Sequence, residues 1–481
     1  MAISSTGIGS GIDVQSIVSQ LVELERRPLL SLETAATFMQ TQISAYGQIQ
    51  SLTSALSDAA SALAKPTLWQ KSSATSGDAT ALTASATGTP AAGSYSVVAS
   101  QLARAQSLAS AGSASSSTVV GAGTLTIDVG TWAGDLSAHT RKTGTTALTV
   151  TLTDPNTTLA QVRDAINAAN GGVTAAIVQD TDGTGAPRAR LTLTAKSTGL
   201  ENALRVTATG DLGAFAYAPD VGATGLSQTQ SAANALATVN GLPVESPSNQ
   251  LSGVLEGVSL TLLKTSATPV SVTVANDSGS QRKALTDFVT AYNALNTFLA
   301  SQTGYDEQAK VGGALQGDSA AVGLRNQLRG MLHRTGGTSE VFDRLSQMGF
   351  DIQRDGSVKL DNAKLDAALA QPAELVKLFS EPADLGNPSR AGLGVRMKDL
   401  LGRLVGSQGP LTSRTEGLQA RLKRNEKDQD RLEDRVARVE ARLLKQYQAL
   451  DASMGQLNSL STYMTQQLSM LNNQFRASND D

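Results

Sequence analysis

The sequence predicts an α+β multidomain chain. Its N- and C-terminal helices form a coiled-coil leg and a helical domain, and β-rich antiparallel head domains are inserted between them. Three observations lead there. Residues 12–64 and 411–475 carry apolar side chains at helical spacing, so two long amphipathic helices stand near opposite ends of the chain. Much of the stretch between them is rich in Thr, Ala and Gly and alternates at period two, the pattern of half-exposed strands. Helices from opposite ends can pair with each other or with copies of themselves, which leaves the β-rich body at the tip of a helical stalk. That is the plan of a self-assembling rod or cap component rather than of a pocket enzyme.

Taken in order, residues 1–11 are Gly/Ser-rich and polar, which predicts disorder until assembly. Asp13 suits an N-cap, followed by the stripe Val14, Ile17, Val18, Leu21, Val22 and Leu24. Pro28 predicts an interruption or a change of direction, and a second helix resumes near Ser31 with Leu32, Met39, Ile43, Tyr46, Ile49, Leu52, Leu56 and Leu63 on its apolar face. Pro66 marks its end. From Trp69 the period changes. Tyr95–Val98, Leu125–Val129, Leu148–Leu152 and Arg190–Thr194 read as strands, interrupted by a short helix from Thr158 to Asn170 that ends at Gly171-Gly172. A second β segment runs from about Ala237 to Ala275, with Asn240-Gly241 as a hairpin turn.

Helical spacing returns at Ser280, where Leu285, Phe288, Val289, Tyr292, Leu295, Phe298 and Leu299 form a stripe, and another helix lies around Asp318–Leu332. Phe350–Leu360 predicts a hairpin turning at Asp355-Gly356, Asp361 caps the helix of Leu365 and Leu369, and Pro372 opens a last turn of helix ending near Phe379. Glu381–Ser389, with Pro382 and Pro388, reads as a loop. The final helix has the sharpest pattern. Leu418, Leu422, Leu432, Val436, Val439 and Leu443 keep a 3–4 frame, with Asn425 and Gln429 as polar members of the seam. Tyr447, Leu450, Met454, Leu457, Met464, Leu468, Leu471 and Phe475 continue it, and the step from Val439 to Tyr447 is a stutter. Charged residues fill the outer positions from Arg414 to Lys445. Beyond that the surface turns Gln/Asn/Ser-rich, so the distal part is expected to need a partner for order.

Composition limits the chemistry. The chain has 481 residues, room for three or four domains, and a formal net charge of −3, so no global basic field points to nucleic acid. It has no cysteine, which removes disulfides and thiolate metal sites, and only His139 and His333 could offer imidazole. No cofactor is expected. No apolar run approaches the roughly 18–20 residues of a membrane helix, and the N-terminus lacks the charge and apolar core of a secretory signal. Asp180–Gly185 opens like a calcium loop, but its twelfth position is Leu191 where a bidentate Glu is needed, so a hairpin loop is the better reading. Gly7–Gly11 has neither the strand nor the Lys of a phosphate loop. The Arg and Lys residues of 414–445 alternate with acids, which favours a solvated helix face over a nucleic-acid surface.

Three strings resemble the flagellar filament cap family, flagellar hook-associated protein 2. The first is Gly7-Ile8-Gly9-Ser10-Gly11-Ile12-Asp13 with Ile17–Leu21 and Glu25-Arg26-Arg27-Pro28. The second is Gly349-Phe350 through Asp355-Gly356, then Leu360-Asp361, Leu365, Leu369 and Leu378-Phe379. The third, Thr158–Asn167 before a strand-turn-strand, is similar to the insertion motif of flagellin and hook-associated proteins.

The resemblance implies a homo-oligomeric ring at the filament tip, with helical legs contacting flagellin and the hook–filament junction proteins. It also implies export through the flagellar type III apparatus with a cytoplasmic chaperone, an extracellular location, and no nucleic-acid or membrane-inserted partner. The expected division is 1–68 for the N-terminal leg helices and 69–111 with 226–278 for a β plate. An outer head with the insertion motif covers 112–225, a helical leg domain with a hairpin 279–409, and the C-terminal coiled-coil helix 410–481. Assembly contacts are expected at Val14, Ile17, Val18 and Leu21, and at Leu418, Leu422, Leu432, Val436, Val439, Leu443, Leu450 and Leu457. An adhesive role for the β head is a second function class, resting on Trp132, Phe215 and Tyr217 as stacking surfaces. A hydrolase is a third, which the lack of paired carboxylates or a His-centred constellation disfavours.

Overall fold

Helix α1 (Val14–Leu63) opens the structure, a computed structural model that describes residues 13–308, 310–333, 338–383 and 390–477. Asp13 caps α1 by accepting the Ser16 N–H at 3.0 Å. The helix is continuous for 50 residues, so of the interruption or change of direction expected at Pro28 the interruption does not occur. Pro28 is exposed, and the single backbone bond that it removes leaves the Leu24 carbonyl free to turn to water. Packing on both sides of the proline carries the helix through it. The N-terminal Gly-rich string and most of the Glu381–Ser389 loop lie outside the described residues, as does the Phe475 side chain.

The other helices follow as α2 (Pro66–Trp69), α3 (Leu159–Ala168), α4 (Ser278–Thr303), α5 (Ser319–His333), α6 (Asn362–Leu369), α7 (Pro372–Leu375), α8 (Leu393–Val405) and α9 (Pro410–Ala477). The chain divides into two compact units. One joins the chain up to Leu68 with the chain from Gly279 onward, and the other is Trp69–Ser278.

The first unit is helical. α1 and α9 run antiparallel: Val14, Val18 and Val22 cluster with Val436, Leu443, Leu444 and Tyr447, and further along α1 Glu25 approaches Arg435 at 3.7 Å. α8, which the sequence reading does not single out, packs on the C-terminal part of α1. Its Gly394 sits so close that a Cβ there would lie 2.8 Å from the Ala64 nitrogen. The hairpin Phe350–Ile352 with Val358–Leu360 is held by α4 and α5. Asn293 exchanges hydrogen bonds with Val358 at 2.7 and 2.8 Å, Tyr292 donates to the Gly356 carbonyl at 3.1 Å, and Arg329 donates to the Asp355 carbonyl.

The second unit is antiparallel β structure around two cores. One core, with Leu82, Val97, Leu251, Leu260 and Val272, lies between a five-stranded and a three-stranded sheet. The five strands run in the order Ser72–Ser76, Val270–Asn276, Gly93–Gln101, Ala235–Val239 and Leu242–Ser246. Asn240 and Gly241 at the last turn have φ of 48° and 82°, the two left-handed residues that a tight hairpin needs. The other core is built from the intervening chain, with Leu125, Ile127, Leu191, Leu193 and Val206 from the sheets and Leu159, Val162 and Ile166 from α3. Thr158 and Gln161 form a reciprocal capping box at the start of α3.

Candidate functional site

Sites of catalytic type have little material here. Among the described residues, no three His, Cys, Asp or Glu side chains gather where they could hold a metal. His139 packs edge-on to Trp132 at 4.8 Å with Nε2 3.3 Å from the Ala203 carbonyl, and burial pushes its pKa below the usual range. His333 is exposed in the last turn of α5. In the Asp180–Gly185 loop, Asp182 accepts from Thr184 N, Thr184 Oγ1 and Ala186 N at 2.8, 2.6 and 3.0 Å. That carboxylate is therefore spent on its own hairpin loop.

The two-helix stalk is the stronger candidate. Of the α1 residues expected at contacts, Val14 and Val18 are buried against α9, while Ile17 and Leu21 are half-buried. On α9, Leu418 and Val436 are buried, and Leu422, Leu432, Val439 and Leu443 are half-buried. Leu450 and Leu457 are 48% and 60% exposed, so they take no part in the intramolecular seam. Leu460, Tyr463, Met464, Leu468, Met470 and Leu471 are exposed as well. The seam is polar at its middle, where Gln429 donates to Asn425 at 2.6 Å and Asn425 is buried. The described chain thus has a closed stalk as far as Tyr447 and a bare apolar helix beyond it.

The root of the stalk is fastened by a node that sequence reasoning missed. The Asp318 carboxylate accepts from Tyr46 Oη of α1 at 2.6 Å and from Arg414 of α9 at 2.8 and 3.2 Å. It also caps α5 through the backbone N–H groups of Ala320 and Ala321 at 3.0 and 3.2 Å. Burial alone would raise the pKa of Asp318. The bonds from Tyr46, Arg414 and the α5 backbone outweigh it and hold the carboxyl below its ordinary value. Burial, reinforced by Asp318, pushes Tyr46 well above the usual phenol range. The Asp-Ser-Ala-Ala start of α5 signals a cap, but nothing local signals that the cap reaches two helices distant in sequence.

With this geometry in place, comparison with known proteins gives consistent likenesses. Three family profiles match: Flagellar hook-associated protein 2 N-terminus over residues 10–106, Flagellin hook IN motif over 139–197, and Flagellar hook-associated protein 2 C-terminus over 232–459. The chain is 31% identical to flagellar hook-associated protein 2 of Escherichia coli (strain K12), over 97% of this chain and 98% of that protein. It is 34% identical to A-type flagellar hook-associated protein 2 of Pseudomonas aeruginosa, over 98% of both. Among solved structures, that of the D1-D2-D3 domains of the flagellar cap protein FliD from Escherichia coli superposes with a TM-score of 0.61 at 30% identity. That likeness covers 78% of this chain and 99% of the other.

Proposed function

The chain belongs to the flagellar hook-associated protein 2 family, and we infer that it is the structural cap at the distal, extracellular end of a bacterial flagellar filament. The observation that carries this is the end-to-end likeness to hook-associated protein 2 over 97% of the chain, together with a stalk whose distal helix is apolar and bare. In this reading the cap promotes ordered polymerisation of exported flagellin and prevents its loss.

The mechanism is steric and conformational rather than catalytic. Copies of the chain form a ring whose β bodies make a plate, and flagellin folds in the space beneath it. The bare stretch from Leu450 to Leu471 supplies apolar area for helix-on-helix contact with flagellin or the junction proteins at the filament end. The same stretch would suit an export chaperone before secretion, since exposed apolar helix is costly to leave open. Among the described residues no helix is long and apolar enough to cross a membrane.

No observation favours adhesion by stacking. Phe215 and Tyr217 are buried, and Trp132 turns its Nε1 inward to the Leu204 carbonyl at 3.1 Å.

The test is complementation of a strain that lacks its own copy of the gene. The wild-type chain restores filaments and motility and keeps flagellin out of the medium. Leu432→Asp, which places a charge in the seam, abolishes both while Trp69–Ser278 stays folded. Full motility with Leu432→Asp counts against the stalk as the working part.

A further inference from the structure

The charged residues of α9 alternate in sequence but are sorted in space. At about 100° per residue, Arg421, Arg424, Arg431, Arg435, Arg438 and Arg442 fall on one flank of the seam that binds α1, with Asp428 as the lone acid among them. The opposite flank carries Glu426, Asp430, Glu433 and Glu440, with Lys423, one heptad before Asp430, as the lone base at its outer edge. The structure supports the assignment on the basic side, where Arg414, Arg421, Arg424 and Asp428 line one open cavity of about 500 Å³ with Ala35 and Phe38 of α1. Phe38, 53% exposed, is the one phenylalanine left open to solvent among the described residues.

Most of these charges are not consumed within the described chain. Among the described residues, Arg431 pairs with Asp428 at 3.4 Å and Arg435 with Glu25 at 3.7 Å, whereas Arg421, Arg424, Arg438 and Arg442 have no ion pair. None of the four acids on the other flank has one either. A solvated helix scatters its charges or pairs them along its own surface. A helix with one basic and one acidic side is complementary to itself only through a neighbour.

We propose that neighbouring copies of this chain pack their stalks side by side, the arginine flank of one α9 against the carboxylate flank of the next. The contact is heterologous, so it closes into a ring when the rotation between copies permits. In a ring all copies stand at one height, and the residues then meet in register: Arg424 opposite Glu426, Arg431 opposite Asp430 and Glu433, Arg438 and Arg442 opposite Glu440. Leu24 and Phe38, exposed on α1, add apolar area; Phe38 lies beside the basic flank. The inference rests on the cap reading for the existence of a ring, and adds which surfaces meet and in what sense.

The experiment uses the full-length chain and two variants. Arg421→Glu/Arg424→Glu/Arg438→Glu has two acidic flanks, and Glu426→Lys/Asp430→Lys/Glu433→Lys has two basic ones. Sedimentation velocity at low ionic strength reads self-association, with far-ultraviolet circular dichroism as a control for folding. Each variant alone is expected to associate at least about tenfold more weakly than wild type, and mixing the two restores association as alternating copies. Wild-type association weakens with added salt. Overturning results are variants that self-associate like wild type, or a mixture that does not recover. If the variants lose binding to purified flagellin while self-association is unchanged, flagellin is the partner of these flanks and the proposal falls. A wild-type chain that fails to complement the deletion strain would instead sink the cap reading, and the mixing result does not depend on it.

Discussion

A single carboxylate can hold three helices together when each supplies a donor, and Asp318 does so with Tyr46, Arg414 and the first turn of α5. Asp318→Ala leaves a buried phenol without an acceptor, removes a helix cap and unpairs a guanidinium. The expected loss is about 3 kcal/mol, read as a lowered urea midpoint by circular dichroism at the helical band. Tyr46→Phe removes one donor and costs about 1 kcal/mol in the same assay. The pH dependence has a definite sign. The folded-state pKa of Asp318 lies below its unfolded value, so its stabilisation is full at neutral pH and is lost as pH falls below the ordinary carboxylate range and through the folded pKa. The gap in urea midpoint between wild type and Asp318→Asn therefore narrows from pH 7 to pH 3; a gap that widens would mean that the carboxylate is not the group responsible.

Among the elements, the parts legible in the sequence are those whose signal is local. The short helix opening at Thr158, the Asn240-Gly241 turn and the hairpin at Asp355-Gly356 each have signals within a few residues, and the structure has all three. The 3–4 frame of α9 is legible because it repeats over many turns. Pro28 does not interrupt α1, for a physical reason: a proline costs one backbone bond and a clash, which stops a marginal helix but not one packed on α9 both before and after it. α8 went unread because its apolar residues Leu393, Met397 and Leu401 span only two turns, and its start is set by contact with α1 rather than by a cap of its own. That contact gives a sharp prediction. Gly394→Val pushes a side chain toward the Ala64 nitrogen and the Phe379 carbonyl, backbone atoms that lie 2.8 and 2.9 Å from a Cβ and cannot rotate away. It should lower stability by about 2 kcal/mol or more, read as a drop in thermal midpoint, whereas Gly402→Ala, with open space around it, should not lower it.

At the scale of the whole molecule, the chain combines a β unit with its own two cores and a helical unit whose stalk stops burying apolar surface past Tyr447. Stability and function should therefore separate along α9. Residues from Leu450 onward carry most of their large apolar side chains in the open, so they contribute little to the folded state of an isolated chain. A chain ending at Ala449 keeps Tyr447 and the whole intramolecular seam. Its urea midpoint should match that of the full chain within measurement, while complementation fails and unpolymerised flagellin accumulates in the medium. The converse pairing, a lowered midpoint with normal filament growth, would make the distal helix a structural prop and move the working surface elsewhere on the stalk. The flank charges between Arg421 and Arg442 are retained in that truncated chain. Its self-association should persist, which separates the surface that joins copies of the cap from the surface that holds the cap to the filament.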